Sequence, residues 1–322
     1  MVLGMTTSKQ VKARMLLGKY GIGIVLLFLM LIIGILEPSF RTGTNFLNVA
    51  TQVSINGLIS FGMCLVITTG GIDLSVGAQL ALVSCVLGQL ITKQGMNALL
   101  AIIIAVLVST FLGFLNGVLI SRFHMFPFVV TLSSQLIIRG LAQIISGGQS
   151  IPLQSTFITD VYNMKLLGIP FPILYLTVAT VAAYLILHWT KLGRYIFAVG
   201  GNENAAIASG VNHYWVKTTV YMISGLMAGL AGVIMAAKTG SAQSNIGVGY
   251  ETDAIAACVI GGTSFAGGEA TIPGVLMGIF IIGFIYNGMN LIGIQSYFQP
   301  MTKGMVIILA VLMDMFMKRK NA

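Results

Sequence analysis

An all-α integral membrane protein of about ten transmembrane helices is the fold this sequence predicts, and three observations predict it. Of the 322 residues, 57% are hydrophobic and only 8% charged, with a mean hydropathy of +0.96. A soluble domain could not keep such a surface wetted. Apolar runs of roughly 20 residues, the length that crosses a hydrocarbon core about 30 Å thick, follow one another along the chain. Short motifs of the first half return, in the same order, in the second. No change of composition marks a second domain, so residues 1–322 are read as one transmembrane domain.

The first run, 20–36, is long, lacks a small-residue cleavage site and is followed by many like it, so it reads as a retained span rather than a signal peptide. The second, 50–69, stops at T-G-G-I-D-L-S-V-G (69–77), where Gly70 and Gly71 permit a sharp turn. Spans at 74–92, 98–121 and 126–145 come next, the last starting near Pro127, and 146–170 is an extracytoplasmic loop. Span six, 171–189, leads into a long loop at 190–217, and span seven covers 216–237. The eighth, 252–264, is short because Gly261, Gly262, Gly267 and Gly268 interrupt it; 270–293 and 300–317 complete the set. Lysine and arginine stay on the cytoplasmic side. With an inner N-terminus, that side holds Lys9, Lys12, Arg14, Lys19, Arg122, Lys191, Arg194, Lys217, Lys318, Arg319 and Lys320, eleven of seventeen, so both termini are expected in the cytoplasm. The net charge of +9 then fits anionic lipid and not nucleic acid.

The recurrence suggests spans 2–5 and 7–10 as paired units. Ile55-Asn56-Gly57-Leu58 answers Ile223-Ser224-Gly225-Leu226, Asp73 answers Asp253, G-F-L-N-G (113–117) answers G-F-I-Y-N-G (283–288), and Pro127 answers Pro300, at offsets of 168 to 180 residues. Five spans, an odd number, separate the partners, so the units face opposite ways. Such inverted-topology repeats build paired gates around a midplane path.

Polar side chains within spans should face a path or a neighbouring helix, because lipid leaves them without partners. Asn56, Asn116, Gln135, Asn287 and Asn290 are the path candidates, with Gln52, Gln79, Ser133, Ser134, Arg139 and Gln143 beside them. Amides both donate and accept, and buried acids are few, which suits a neutral hydroxyl-rich solute better than an ion. Gly70, Gly71, Asp73 and Ser75, with Gly261 and Gly262, are candidates for a hinge and cytoplasmic gate. Asp73 can cap the next helix, contact a gate or carry a proton.

Cys64, Cys85 and Cys258 lie in apolar runs without C-x-x-C spacing, so neither a disulfide framework nor a metal site is expected. There is no G-x-x-x-x-G-K-[ST], H-E-x-x-H or G-x-S-x-G, hence no catalytic residues and no cofactor. Energy for any pumping must come from another polypeptide. The loop at 190–217 can hold a short helix, capped by Asn202, with Glu203 in its first turn and Gly210 at its end. Its small residues suit docking into a partner's groove.

G-G-I-D-L-S-V-G (70–77), G-R-Y-I-F-A-V-G-G-N-E-N-A-A (193–206), Y-E-T-D-A-I-A-A-C-V-I-G-G-T-S-F-A-G-G (250–268) and the closing K-R-K resemble the permease subunit of ribose-type sugar ABC importers, in the broader branched-chain amino acid/ribose permease family. The resemblance spans essentially the whole chain. It implies a single permease domain in a bacterial cytoplasmic membrane, translocating a monosaccharide or related polyol. Implied partners are a second permease subunit, identical or related, a cytosolic ABC ATPase and an extracytoplasmic sugar-binding protein. The ATPase-coupling residues would be Asn202, Glu203, Asn204, Ala205, Ala206, Ser209 and Gly210, although the E-A-A-x-x-x-G of many importers stands here as N-A-A-I-A-S-G with glutamate at 203. A branched-chain amino acid ABC permease and a self-sufficient ion-coupled carrier are the alternatives.

Overall fold

The computed structural model describes residues 8–153, 155–305 and 308. It is almost wholly helical, and seven helices among the described residues are long and apolar enough to cross a membrane. They are α2 (Gly43–Thr68), α3 (Val76–Gly88, running on as a wider π-turn through Lys93), α4 (Ala98–Arg122), α5 (Pro127–Ser146), α7 (Phe171–Trp189), α10 (His213–Thr239) and α12 (Ile272–Leu291). Helix α1 (Ser8–Leu36) precedes them and contains a further apolar stretch, Ile22–Leu36. Short helices α6 (Thr156–Asn163), α8 (Lys191–Gly201), α9 (Glu203–Ala208) and α11 (Tyr250–Ile260) fill the connections. Two two-residue strand pairs, Ile151–Pro152 with Ser241–Ala242 and Lys165–Leu166 with Ile169–Pro170, tie the loops around α6.

The expected eighth span is a correction. Helix α11 has 11 residues, roughly 16 Å at 1.5 Å per residue, and cannot cross a bilayer core. Gly262, at φ +83°, takes the chain out of the helix into a loop that returns to α12. The expected span at 300–317 lies mostly outside the described residues, of which 300–305 and 308 are helical.

Helices α2 and α10 form the centre. Their apolar windows are 78% and 72% buried, against 28%, 22% and 28% for α4, α5 and α7, whose outward faces carry exposed Leu107, Phe111, Leu136, Ile137, Val178 and Leu185. A large apolar face of this kind belongs against lipid. Small residues bring the central backbones together. A Cβ on Gly117 would sit 2.7 Å from Thr218 Cα, one on Gly62 2.9 Å from Ser224 Cα, and Gly113 packs on the Tyr221 carbonyl. Gly113 against Tyr221 and Gly117 against Thr218 run in opposite directions, so α4 and α10 are antiparallel.

The packing repeats where the motifs do. Helix α4 lies on α10 as α12 lies on α2, and α3 touches α10 as α11 touches α2. Gly113 meets α10 at Tyr221, and its counterpart Gly283 meets α2 at Val53 and Val49. Gly225 approaches Ser109 of α4, and its counterpart Gly57 packs most closely on Leu176 of α7, with Ile279 of α12 3.7 Å from a Cβ at that position.

Candidate functional site

Two polar centres interrupt this apolar core, one at the break after α2 and one beside the middle of α2. The first is built on Asp73, which is fully buried in the break between α2 and α3. Asp73 Oδ1 accepts from Ser75 N–H at 3.1 Å and from Ser75 Oγ at 2.6 Å, while Oδ2 accepts from Ser224 Oγ of α10 at 2.8 Å. Having given its proton to Asp73, Ser75 Oγ accepts from Gln79 Nε2 at 2.8 Å and Asn116 Nδ2 at 3.0 Å, using its full capacity. Ser109 Oγ lies 2.8 Å from Gln79 Oε1 and 2.7 Å from the Gly225 carbonyl, and Ser134 Oγ donates to Asn116 Oδ1. Tyr221 donates to the Ile72 carbonyl at 3.1 Å. The broken helix is thus clasped to α4, α5 and α10 by a buried, hydrogen-bonded network, the kind of arrangement that fixes one packing in low dielectric.

The second centre surrounds a cavity of about 370 Å³. Gln52, Val53 and Asn56 of α2, Lys238 of α10, Tyr250, Asp253 and Ala257 of α11, Gly283 and Tyr286 of α12, and Gln299 and Lys303 line it. Asp253 Oδ1 pairs with Lys303 Nζ at 2.7 Å and accepts from Tyr286 O–H at 2.8 Å. Asn56 makes no side-chain hydrogen bond to the described residues, and its Oδ1 is buried without a partner. On α5, Arg139 Nη1 donates to the carbonyls of Ser244 and Ile246, both at 2.7 Å, and Gln135 Nε2 donates to Glu251 Oε1 at 3.3 Å. These contacts hold the segment between α10 and α11 against α5.

The third feature is peripheral. Asn202 Oδ1 accepts from Ala205 N–H at 3.0 Å and caps α9, Ser209 Oγ donates to the Ala205 carbonyl at 2.9 Å, and Gly210 at φ +83° ends the turn. Glu203 pairs with Lys217 of α10 at 2.7 Å. Helix α8 runs inward to the end of α2. Gly200 packs directly on the Thr68 carbonyl, a Cβ on Gly267 would fall 2.7 Å from the Gly200 carbonyl and 3.1 Å from Gly70 N, and Gly268 N–H donates to Thr68 O at 2.9 Å. Only glycine allows three backbones to meet so closely. From Thr68 to Asn56 is twelve residues of helix, about 18 Å, so this junction sits at the end of α2 and the cavity lies beside its middle.

The site residues expected from sequence separate accordingly. Gly70, Gly71, Asp73 and Ser75 gather at the break after α2, although the residue directly before α3 is Ser75 and Asp73 stands two positions earlier. Gly261 packs on the backbone of Gly274 and Val275, and Gly262 turns the chain, so both belong to the loop between α11 and α12. Of the path candidates, Asn56 lines the cavity, Gln135 holds Glu251, and Asn116 is consumed in the Asp73 network. Asn287 exchanges hydrogen bonds with Asn45 at 2.9 and 3.0 Å, and the exposed Asn290 accepts from Gln299 at 2.9 Å. In the coupling loop Asn204 and Ala205 are exposed, whereas Ala206 is 4% exposed and packs inward, contrary to its expected place on a docking face. Ser224, Ser109, Lys217, Gly200 and Lys303 were not singled out. The match of I-S-G-L (223–226) to I-N-G-L (55–58) was the signal available for Ser224, and the glycine pairs at 200–201 and 267–268 were the signal for Gly200.

The family described as "Branched-chain amino acid transport system / permease component" matches residues 45–312. The Ribose import permease protein RbsC of Escherichia coli (strain K12) is 42% identical over 90% of this chain and 92% of its own length. RbsC of Bacillus subtilis (strain 168) is 43% identical over 98% of both, and the D-allose transport system permease protein AlsC of Escherichia coli (strain K12) is 39% identical over 92% of this chain and 91% of its own. No solved structure matches the chain. With a family match across most of its length and relatives of such identity that coincide with it nearly end to end, the chain belongs to this family of transport-system permease components.

Proposed function

We propose that this chain is the membrane-spanning subunit of an ATP-driven sugar importer in the bacterial cytoplasmic membrane, where it translocates a monosaccharide or related polyol. Its relatives are named as ribose, allose, L-arabinose and galactose permeases, and the amide-rich cavity suits a neutral, hydroxylated solute. The observation that carries the reading is the junction of α8 with the break after α2. A peripheral helical knob is joined backbone to backbone to the segment holding Asp73, so a push on α8 and α9 reaches the polar core.

In this reading the α8–α9 segment, 190–217, is cytoplasmic and meets an ABC ATPase through Asn202, Glu203, Asn204, Ala205, Ser209 and Gly210. The cavity end and the loop at 146–170 face outward and receive sugar from a binding protein. A second permease subunit completes the path, spans 2–5 and 7–10 act as inverted halves, and Gly70, Gly71, Gly261 and Gly262 serve as hinges at the inner face. Weak contacts along the path favour release over retention. Purified alone in lipid nanodiscs, the chain is expected neither to bind nor to hydrolyse ATP, because it has no phosphate-cradling loop. Specific ATP binding by the isolated chain contradicts the proposal.

A further inference from the structure

The acids at the two broken helices, Asp73 before α3 and Asp253 in the first turn of α11, hold matching places in the two halves, yet the structure treats them differently. By the I-N-G-L and I-S-G-L repeat, Asn56 corresponds to Ser224; aligned on Gly113 and Gly283, Tyr286 corresponds to Asn116. Ser224 donates to Asp73 Oδ2 at 2.8 Å, and Asn116 reaches the same network through Ser75. On the other side Tyr286 donates to Asp253, but Asn56 Oδ1 has no partner among the described residues, and a cavity of about 370 Å³ lies where the equivalent closure would be. One node is buried and shut, and its counterpart is open.

We propose that Asn56 and Asp253 are the two sides of a second gate, and that the open cavity between them receives one polyhydroxylated solute. In the opposite state of the cycle Asn56 Nδ2 donates to Asp253 and closes the cavity, while the Ser224–Asp73 bond parts at the other end. The volume falls within the range of about 300–1,000 Å³ typical of small-molecule sites. Asp253 and Lys303 neutralise each other at 2.7 Å, so orientation of the solute falls to Gln52, Asn56 and Gln299, with Lys238 as a further donor. The buried, unsatisfied Asn56 Oδ1 is an acceptor that a solute hydroxyl can fill by donating to it, while Nδ2 is left for Asp253 on closure.

This inference rests on the importer reading, and the test separates the two. Asn56→Cys and Ser224→Cys are placed in the assembled transporter in nanodiscs, where both faces are accessible. Each is probed with a charged methanethiosulfonate, without nucleotide and after trapping with ATP and vanadate. Native Cys64, Cys85 and Cys258 are buried and set the background. The labelling rates at positions 56 and 224 are expected to shift in opposite directions, each by about tenfold or more, as the populations exchange. Shifts in the same direction, or none at either position, overturn the proposal. Should the cysteine variants fail to assemble, uptake decides: serine serves at the equivalent position, so Asn56→Ser is expected to transport at least about tenfold faster than Asn56→Leu, and equal rates overturn the proposal. Absence of ATP-dependent uptake by the unmodified transporter would instead count against the importer reading.

Discussion

Asp73 is held by hydroxyl and amide donors, with no cation among the described residues paired to it. Removing its carboxylate therefore strands donors that cannot reach water. Asp73→Ala is expected to cost about 1–3 kcal/mol for each buried donor left unmade, read as loss of thermal stability in detergent and a fall in uptake. Asp73→Asn keeps an oxygen for Ser75 N–H and turns its amide toward Ser224 Oγ, which can accept, so most of the stability remains. If asparagine proves as damaging as alanine, the charge and not the hydrogen-bond geometry holds the node. A polar role for Asp73 was legible from the glycines before it and the helix after it. Its partners were not, because Ser224 is 151 residues away and no local spacing announces it. The same holds for Lys303 with Asp253 and Lys217 with Glu203, whose pairing depends on tertiary packing.

Helix α9 shows the limit of local reading at the next scale. Its cap, first-turn acid and terminating glycine are local chemistry and fall where the sequence predicts them. Which face it buries depends on what lies beneath, and six residues hold too little pattern to tell. Ala206 faces the core and Ile207, at 44% exposure, faces outward. Ile207→Glu is thus the cleaner test of docking: membrane insertion and thermal stability are expected to stay unchanged while retention of the ATPase on purification falls. Unchanged copurification would place the coupling surface elsewhere. Ala206→Glu buries a carboxylate within the chain and is expected to destabilise the fold itself. Helices α5 and α7 were legible to within a residue because apolar length and Pro or Gly boundaries define them, whereas α2 starts at Gly43, seven residues before the expected 50–69, because its first turns are polar. The eighth failed as a span because apolarity cannot distinguish a buried half-helix from one that reaches both interfaces.

At the scale of the whole molecule, α2 and α10 sit back to back and each carries its half of a repeated packing scheme, with a shut polar node at the break after α2 and an open cavity beside the middle of α2. The two ion pairs among the described residues are Lys217 with Glu203 at the periphery and Lys303 with Asp253 at the cavity. The central claim is a path opened and closed from outside the membrane domain. Its most direct test is radiolabelled ribose uptake into proteoliposomes holding this chain with its ATPase, the sugar-binding protein outside and ATP within reach of the ATPase. Uptake is expected only when chain, ATPase, binding protein and ATP are all present, and is expected to be indifferent to proton or sodium gradients. Ribose accumulation by the chain alone, driven by an imposed ion gradient, would contradict the account.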